Sequence, residues 1–221
     1  MNMALARLIA GQIFLHACMT GMRMATPLLA LREGYSAAAV GVLLALFALT
    51  QVFLALPAGR YADRHGLKRP VGIAVVMACA GAGLSLIFPV FSVMCLSALM
   101  TGGATGLAII ALQRHVGRAA HDTTQLRQVF SWLAIGPAVS NFIGPFFAGL
   151  MIDHAGSTAG STEGYRAAFA LLAVLPLATW FWVRHTEELP PVIAAAGGPP
   201  QRSWDLLNEP ADLLLKGSNL G

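Results

Sequence analysis

Long apolar stretches alternate with short polar segments along most of this chain. A bilayer core about 30 Å thick needs about 20 predominantly apolar residues per helix. Six stretches meet that length, at residues 8–31, 37–58, 70–88, 90–112, 129–152 and 165–183. Glycine and proline punctuate their ends, and the short links favour antiparallel neighbours. The pattern therefore predicts an all-α integral membrane protein with six transmembrane helices.

Composition supports a lipid bilayer as the solvent of this chain. Hydrophobic residues make up 57% of the sequence and charged residues only 11%, whereas soluble domains carry about 25% charged residues. The formal net charge is +4, but there is no basic face with exposed aromatic residues of the kind that nucleic-acid binding requires. A nucleic-acid partner is therefore not expected.

The distribution of the basic residues predicts an orientation in the membrane. If the N-terminus lies inside, the outer loops hold Arg32 and Arg166 alone. The cytoplasmic segments then hold nine basic residues: Arg7, Arg60, Arg64, Lys68, Arg69, Arg114, Arg118, Arg127 and Arg184. This excess follows the positive-inside rule. We expect a multi-pass protein of the plasma membrane, the inner membrane in bacteria, with both termini in the cytoplasm.

The chain divides into three parts by composition. Residues 1–7 form a cytoplasmic N-terminus, and residues 8–184 form the six-helix bundle. Residues 185–221 begin with proline, glycine and small side chains, which are typical of a flexible linker. They end in a short amphipathic piece that is too short to span a membrane.

One spacing of glycine and aspartate occurs twice. Gly59, Asp63 and Gly66 follow the second span, and Gly149, Asp153 and Gly156 follow the fifth with the same spacing. The copies lie three spans apart, on opposite sides of the membrane, and only the first is basic. The alternative is coincidence, because the pattern is short. We favour two three-helix repeats of inverted topology, an arrangement found in transporters.

The segment 59–69, GRYADRHGLKR, resembles the loop between the second and third helices of major facilitator superfamily transporters. That loop reads approximately G-x-x-x-D-R-x-G-R/K-K/R. This chain matches it with Gly59, Asp63, Arg64, Gly66, Lys68 and Arg69, and has Leu67 where a basic residue is common. The chain thus resembles the N-terminal half of the twelve-helix fold. The resemblance implies a secondary transporter that moves a small solute by alternating access, here apparently truncated to its first half.

The resemblance also implies a role for this loop. In the family its carboxylate takes part in charge contacts that hold the cytoplasmic side closed, so Asp63 is a gating candidate and Arg114 a candidate partner. The alternative is that the basic residues only fix topology and bind lipid headgroups. A further family feature, a Gly-Pro pair in the fifth helix with spaced glycines, is matched by Gly136, Gly144, Pro145 and Gly149.

Four polar residues are candidates for a substrate path. His16, Thr20 and Arg23 are spaced four and three residues apart, so a helix places them on one face. An arginine inside a span usually faces a cavity or a partner, although Arg23 lies far enough out to reach the membrane surface. His16 is equally compatible with a packing role. Asn141 in the fifth helix can face either a cavity or a neighbouring helix.

Other functional classes find little support in the sequence. The three cysteines are far apart and show no metal-binding spacing, and no hydrolase or metalloprotease motif occurs. We therefore expect no metal, no cofactor and no enzymatic activity. The alternative function is a non-transporting membrane fragment or assembly subunit that needs a partner bundle. A second copy or a separate C-terminal half are the partners considered, and the substrate and any coupling ion stay open.

Overall fold

A computed structural model describes residues 3–119, 122–155 and 162–189, and six α-helices make up most of these ranges. They are α1 (Met3–Arg32), α2 (Ala37–His65), α3 (Lys68–Ile87), α4 (Phe91–Ala119), α5 (Thr123–His154) and α6 (Glu163–Val183). Each helix is long and apolar enough to cross a membrane. The predicted all-α membrane fold with six spans is confirmed. We call the end of the bundle at which α1, α3 and α5 begin the basic end.

The prediction that residues 59–69 form a loop is wrong. Helix α2 continues to His65 and α3 begins at Lys68, so only Gly66 and Leu67 separate the two helices. No proline or glycine interrupts residues 60–65, and their polar side chains suit a helix that extends beyond the apolar core. Gly66 ends α2 with a positive φ of 74°, and its N–H donates to the carbonyl of Ala62 at 2.9 Å. Such a φ favours glycine.

The packing of the six helices follows the predicted repeat. Helix α1 packs mainly against α5 and α6, whereas α4 packs mainly against α2 and α3. Exchanging α1–α3 with α4–α6 converts one set of contacts into the other. Because α1 begins at the basic end and α4 begins at the opposite end, the two three-helix units are inverted relative to each other.

Individual contacts keep the same register in both repeats. A Cβ atom on Gly103 would lie 3.5 Å from the Cβ of Thr50, at the contact between α4 and α2. The equivalent positions, each shifted by 90 residues, are Ile13 in α1 and Ser140 in α5. The Ser140 hydroxyl donates to the Ile13 carbonyl at 3.1 Å. The repeat therefore extends from the sequence motif into the helix contacts.

Candidate functional site

Asp63 and Arg114 form an ion pair at the basic end. Asp63 lies in the last turn of α2, and the Nη1 group of Arg114 near the end of α4 donates to its Oδ2 atom. The Arg114 and Asp63 side chains are 48% and 32% exposed. Exposed pairs contribute about 0.2–1 kcal/mol, so this contact can break and re-form at small cost.

Gly59 provides the space in which the Arg114 side chain lies. A Cβ atom at this position would be 2.8 Å from Nη2 and 3.1 Å from Nε of Arg114. The guanidinium group therefore rests on the backbone of α2 one turn before Asp63. A larger residue at position 59 would require the guanidinium group to shift, so Gly59, Asp63 and Arg114 form one structural unit.

A second contact connects the short turn after α2 with the segment that follows α6. The Oε1 atom of Glu188 accepts a hydrogen bond from the backbone N–H of Lys68 at 2.7 Å. It also lies 3.1 Å from where a Cβ on Gly66 would stand. Leu67, which precedes α3, offers no side-chain cap, so this carboxylate from a distant segment satisfies a donor at the start of α3.

We expect Glu188→Ala to loosen the first turn of α3, because Lys68 then loses its acceptor. Hydrogen exchange at the amides of Lys68, Arg69 and Val71, followed by mass spectrometry, should become several-fold faster. Glu187→Ala is the matched control, since Glu187 is equally exposed and makes no such bond. Glu188→Gln retains an acceptor oxygen and should stay close to the parent protein. Equal exchange in the two alanine variants would contradict the capping role.

The other basic residues of the motif take no part in the ion pair. Arg64 and Arg69 are exposed, and the Lys68 side chain is partly buried. In the described ranges none of the three makes a salt bridge. The structure therefore brings together Gly59, Asp63 and Arg114, and it places Gly66 and Lys68 at the neighbouring contact with Glu188.

The predicted substrate-path residues do not meet in one pocket of the described structure. Thr20 is 5% exposed, and its hydroxyl donates to the carbonyl of Ser140 on α5 at 2.9 Å. Arg23 and Asn141 are exposed, and His16 is partly buried with no partner at Nδ1. The face predicted for His16, Thr20 and Arg23 is thus divided between a helix contact and the bundle surface. Spacing alone does not show which side chains a neighbouring helix covers.

The glycines of the fifth helix lie along its contact with α1. A Cβ on Gly136 would be 2.9 Å from Oε1 of Gln12, and one on Gly144 would overlap the Thr20 hydroxyl. Pro145 follows directly within the helix. Small residues permit such close helix approach. In the described structure these residues act in packing.

The opposite end of the bundle carries the second copy of the motif, for which the described residues show no ion pair. A Cβ on Gly149 would lie 3.5 Å from the Met24 methyl group. Met24 therefore lies against Gly149 as Arg114 lies against Gly59. Both pairs of equivalent positions differ by 90 residues. Asp153 is exposed one turn after Gly149, as Asp63 follows Gly59, while Gly156 lies outside the described residues. The 90-residue register identifies Met24, which the sequence motif did not.

Metal coordination receives no support from the described part of the chain. No group of three or more histidine, cysteine, aspartate or glutamate residues there is arranged to hold an ion. Cys18, Cys79 and Cys95 are free thiols.

Two comparisons with known proteins agree with this geometry. The family model described as Major Facilitator Superfamily matches residues 8–215. The Tetracycline resistance protein, class B, of Escherichia coli is 33% identical over 154 residues, which cover 67% of this chain and 35% of that protein. The chain thus spans about a third of the length of the curated relative.

Proposed function

The chain belongs to the Major Facilitator Superfamily and is a membrane transporter protein, and from this we propose that it moves a small organic solute by alternating access. In this mechanism two helix bundles rock against each other and expose a central site to either side of the membrane in turn. The described chain supplies one six-helix bundle. A second copy or a separate C-terminal half supplies the other.

The basic end lies in the cytoplasm in this proposal, with the protein in a bacterial inner membrane. The nine basic residues at that end against two at the other support the orientation. The ion pair between Asp63 and Arg114 is then a cytoplasmic gate. It joins the ends of α2 and α4, so any movement of one helix relative to the other must stretch or break it.

The single observation that carries the gate is the position of Arg114 between Gly59 and Asp63. The guanidinium group lies against Gly59, and its Nη1 group donates to the carboxylate of Asp63. In the proposed cycle this pair is made in one state and broken in the other. Glu188 holds the adjoining start of α3 in place.

For the solute we propose a drug-like organic molecule, on the basis of the tetracycline resistance relative. Arg23, Asn141 and His16 remain the proposed residues of its path. Arg23 and Asn141 lie on the bundle surface, where a second bundle can close a cavity over them. Thr20 supports the path from the helix contact, because its hydrogen bond to the Ser140 carbonyl holds α1 against α5.

Charge substitution at the gate tests the proposal. Inverted membrane vesicles containing the protein and energised by a proton gradient should accumulate radiolabelled tetracycline. We expect Asp63→Asn and Arg114→Gln each to lower the initial rate about two- to fivefold, because either change removes a pair worth up to about 1 kcal/mol. The exchange variant Asp63→Arg with Arg114→Asp should recover part of that loss, since it restores opposite charges.

The controls separate gating from general damage. Arg127→Gln changes an exposed arginine of α5 at the same end of the bundle and should retain the parent rate. Membrane abundance of every variant is measured by quantitative immunoblot. Uptake by Asp63→Asn at the parent rate would refute the gate. Uptake by the parent protein no higher than in vesicles without the chain would refute tetracycline as a solute.

A further inference from the structure

The basic end also contains a cavity of about 760 Å³ that is separate from the gate. Its walls come from the first turns of α1, the last turns of α4, the beginning of α5 and residues 185–189 after α6. Neither Asp63 nor Arg114 lines it, and none of the four substrate-path residues does. Its volume falls in the range of roughly 300–1,000 Å³ that is typical of small-molecule sites.

The walls combine an apolar surface with one partly buried cation. Leu8, Val129 and Trp132 supply apolar area, and Arg7 supplies the positive charge. Arg7 is partly buried and makes no ion pair or hydrogen bond within the described ranges. A guanidinium group of this kind suits a carboxylate or phosphate, which it can bind through two parallel hydrogen bonds.

The polar lining favours an anion over a cation. Glu187 also lines the cavity, but it is exposed, whereas Arg7 is withdrawn from solvent. Thr186 is 5% exposed, and its Oγ1 atom has no hydrogen-bond partner in the described structure. A buried hydroxyl without a partner is costly, and a ligand or water molecule in the cavity would supply one. The basic residues grouped at this end add to the positive potential.

We propose that this cavity binds an organic anion with a flat apolar body, whose charged group contacts Arg7 and whose body packs against Trp132. The inference concerns a site that the gate residues and the four substrate-path residues do not line, and it does not depend on transport. The same chemistry occurs in a free organic anion and in the headgroup of an anionic lipid. The experiment therefore includes both sources.

Fluorescence anisotropy with the purified chain in dodecyl maltoside tests the site. Fluorescein is the anionic probe, and rhodamine 6G is a cationic probe with the same ring system. We expect fluorescein to bind, and Arg7→Gln to weaken it about tenfold. Arg7→Lys retains the charge and should keep most of the affinity. Arg127→Gln is the matched control, because Arg127 lies near the same end without lining the cavity.

Nanodiscs distinguish the two sources of the anion. Fluorescein binding to the parent protein is compared between nanodiscs of phosphatidylcholine and of phosphatidylglycerol. Loss of binding in phosphatidylglycerol supports the site with a lipid as its occupant. Unchanged binding supports the site with a soluble anion as occupant. Equal fluorescein affinity of the parent protein and Arg7→Gln would overturn the proposal, as would equal loss in Arg7→Gln and Arg127→Gln. All of these results leave the gate untouched.

Discussion

Replacing Gly144 with alanine is expected to lower the thermal unfolding midpoint by roughly 4–10 °C. Gly144 lies where α5 meets α1, and a Cβ there would overlap the Thr20 hydroxyl and the Ala17 carbonyl and lie 2.9 Å from the Gly21 nitrogen. Two of these three atoms belong to the backbone, so no side-chain rotation relieves the overlap. The two helices must separate, and the hydrogen bond from Thr20 to Ser140 weakens with them.

Gly83→Ala is the matched control for this substitution. Gly83 lies inside α3, and a Cβ there would meet no atom within 4 Å. Alanine is favoured over glycine in a helix by about 1 kcal/mol, so this variant should be as stable as the parent or slightly more so. Tryptophan fluorescence during heating of the purified protein in detergent measures both midpoints. A midpoint for Gly144→Ala equal to that for Gly83→Ala would show that the α1–α5 contact is looser than the structure indicates.

Features that depend on local composition were predictable from the sequence. Hydropathy places all six spans because lipid leaves few alternatives to a long apolar helix. Gly102, Gly103 and Gly106 lie against α2, where small residues permit close packing. Asp63 and Asp153 occupy the same position in two copies of one glycine and aspartate spacing, which indicated the repeat. The helix contacts of α1–α3 and α4–α6 correspond in the same way, so the repeat extends to the whole bundle.

Features that depend on distant contacts were not predictable in the same way. Glu188 and Lys68 are 120 residues apart, and no local pattern relates them beyond the missing cap at Leu67. The glycine and charge content of residues 59–69 suggested a loop, but charged residues continue a helix readily once it leaves the apolar core. Thr20 has suitable spacing for an accessible face, yet α5 covers it. For Thr20 and Glu188, the surroundings of the side chain are set by a distant segment of the chain.

The two ends of the bundle differ in how their helices are held together. At the basic end an arginine lies on Gly59 and binds Asp63, whereas at the opposite end Met24 lies on Gly149 and leaves Asp153 without an ion pair in the described ranges. A methionine contact adapts to small shifts, while an ion pair has a defined geometry. In the proposed alternating-access cycle, the opposite end therefore opens without breaking a charge contact.

Met24→Arg is expected to lower tetracycline uptake in vesicles about two- to fivefold, because it adds a second exposed ion pair. The new guanidinium would lie over Gly149 and reach Asp153, as Arg114 lies over Gly59 and reaches Asp63. Both ends of the bundle would then be held by an ion pair, and neither conformation would open readily. The unfolding midpoint should rise by about 1–3 °C, because an exposed pair adds up to about 1 kcal/mol.

The double variant Met24→Arg with Asp153→Asn distinguishes this lock from a simple loss of packing. It keeps the arginine and removes its partner, so uptake should recover and the increase in midpoint should disappear. Met24→Leu, which retains an apolar contact, should behave as the parent protein. If the double variant were as slow as Met24→Arg alone, the arginine would be acting by bulk or by its charge in the membrane. Met24 and Arg114 would then occupy equivalent positions in the fold without having equivalent roles in gating.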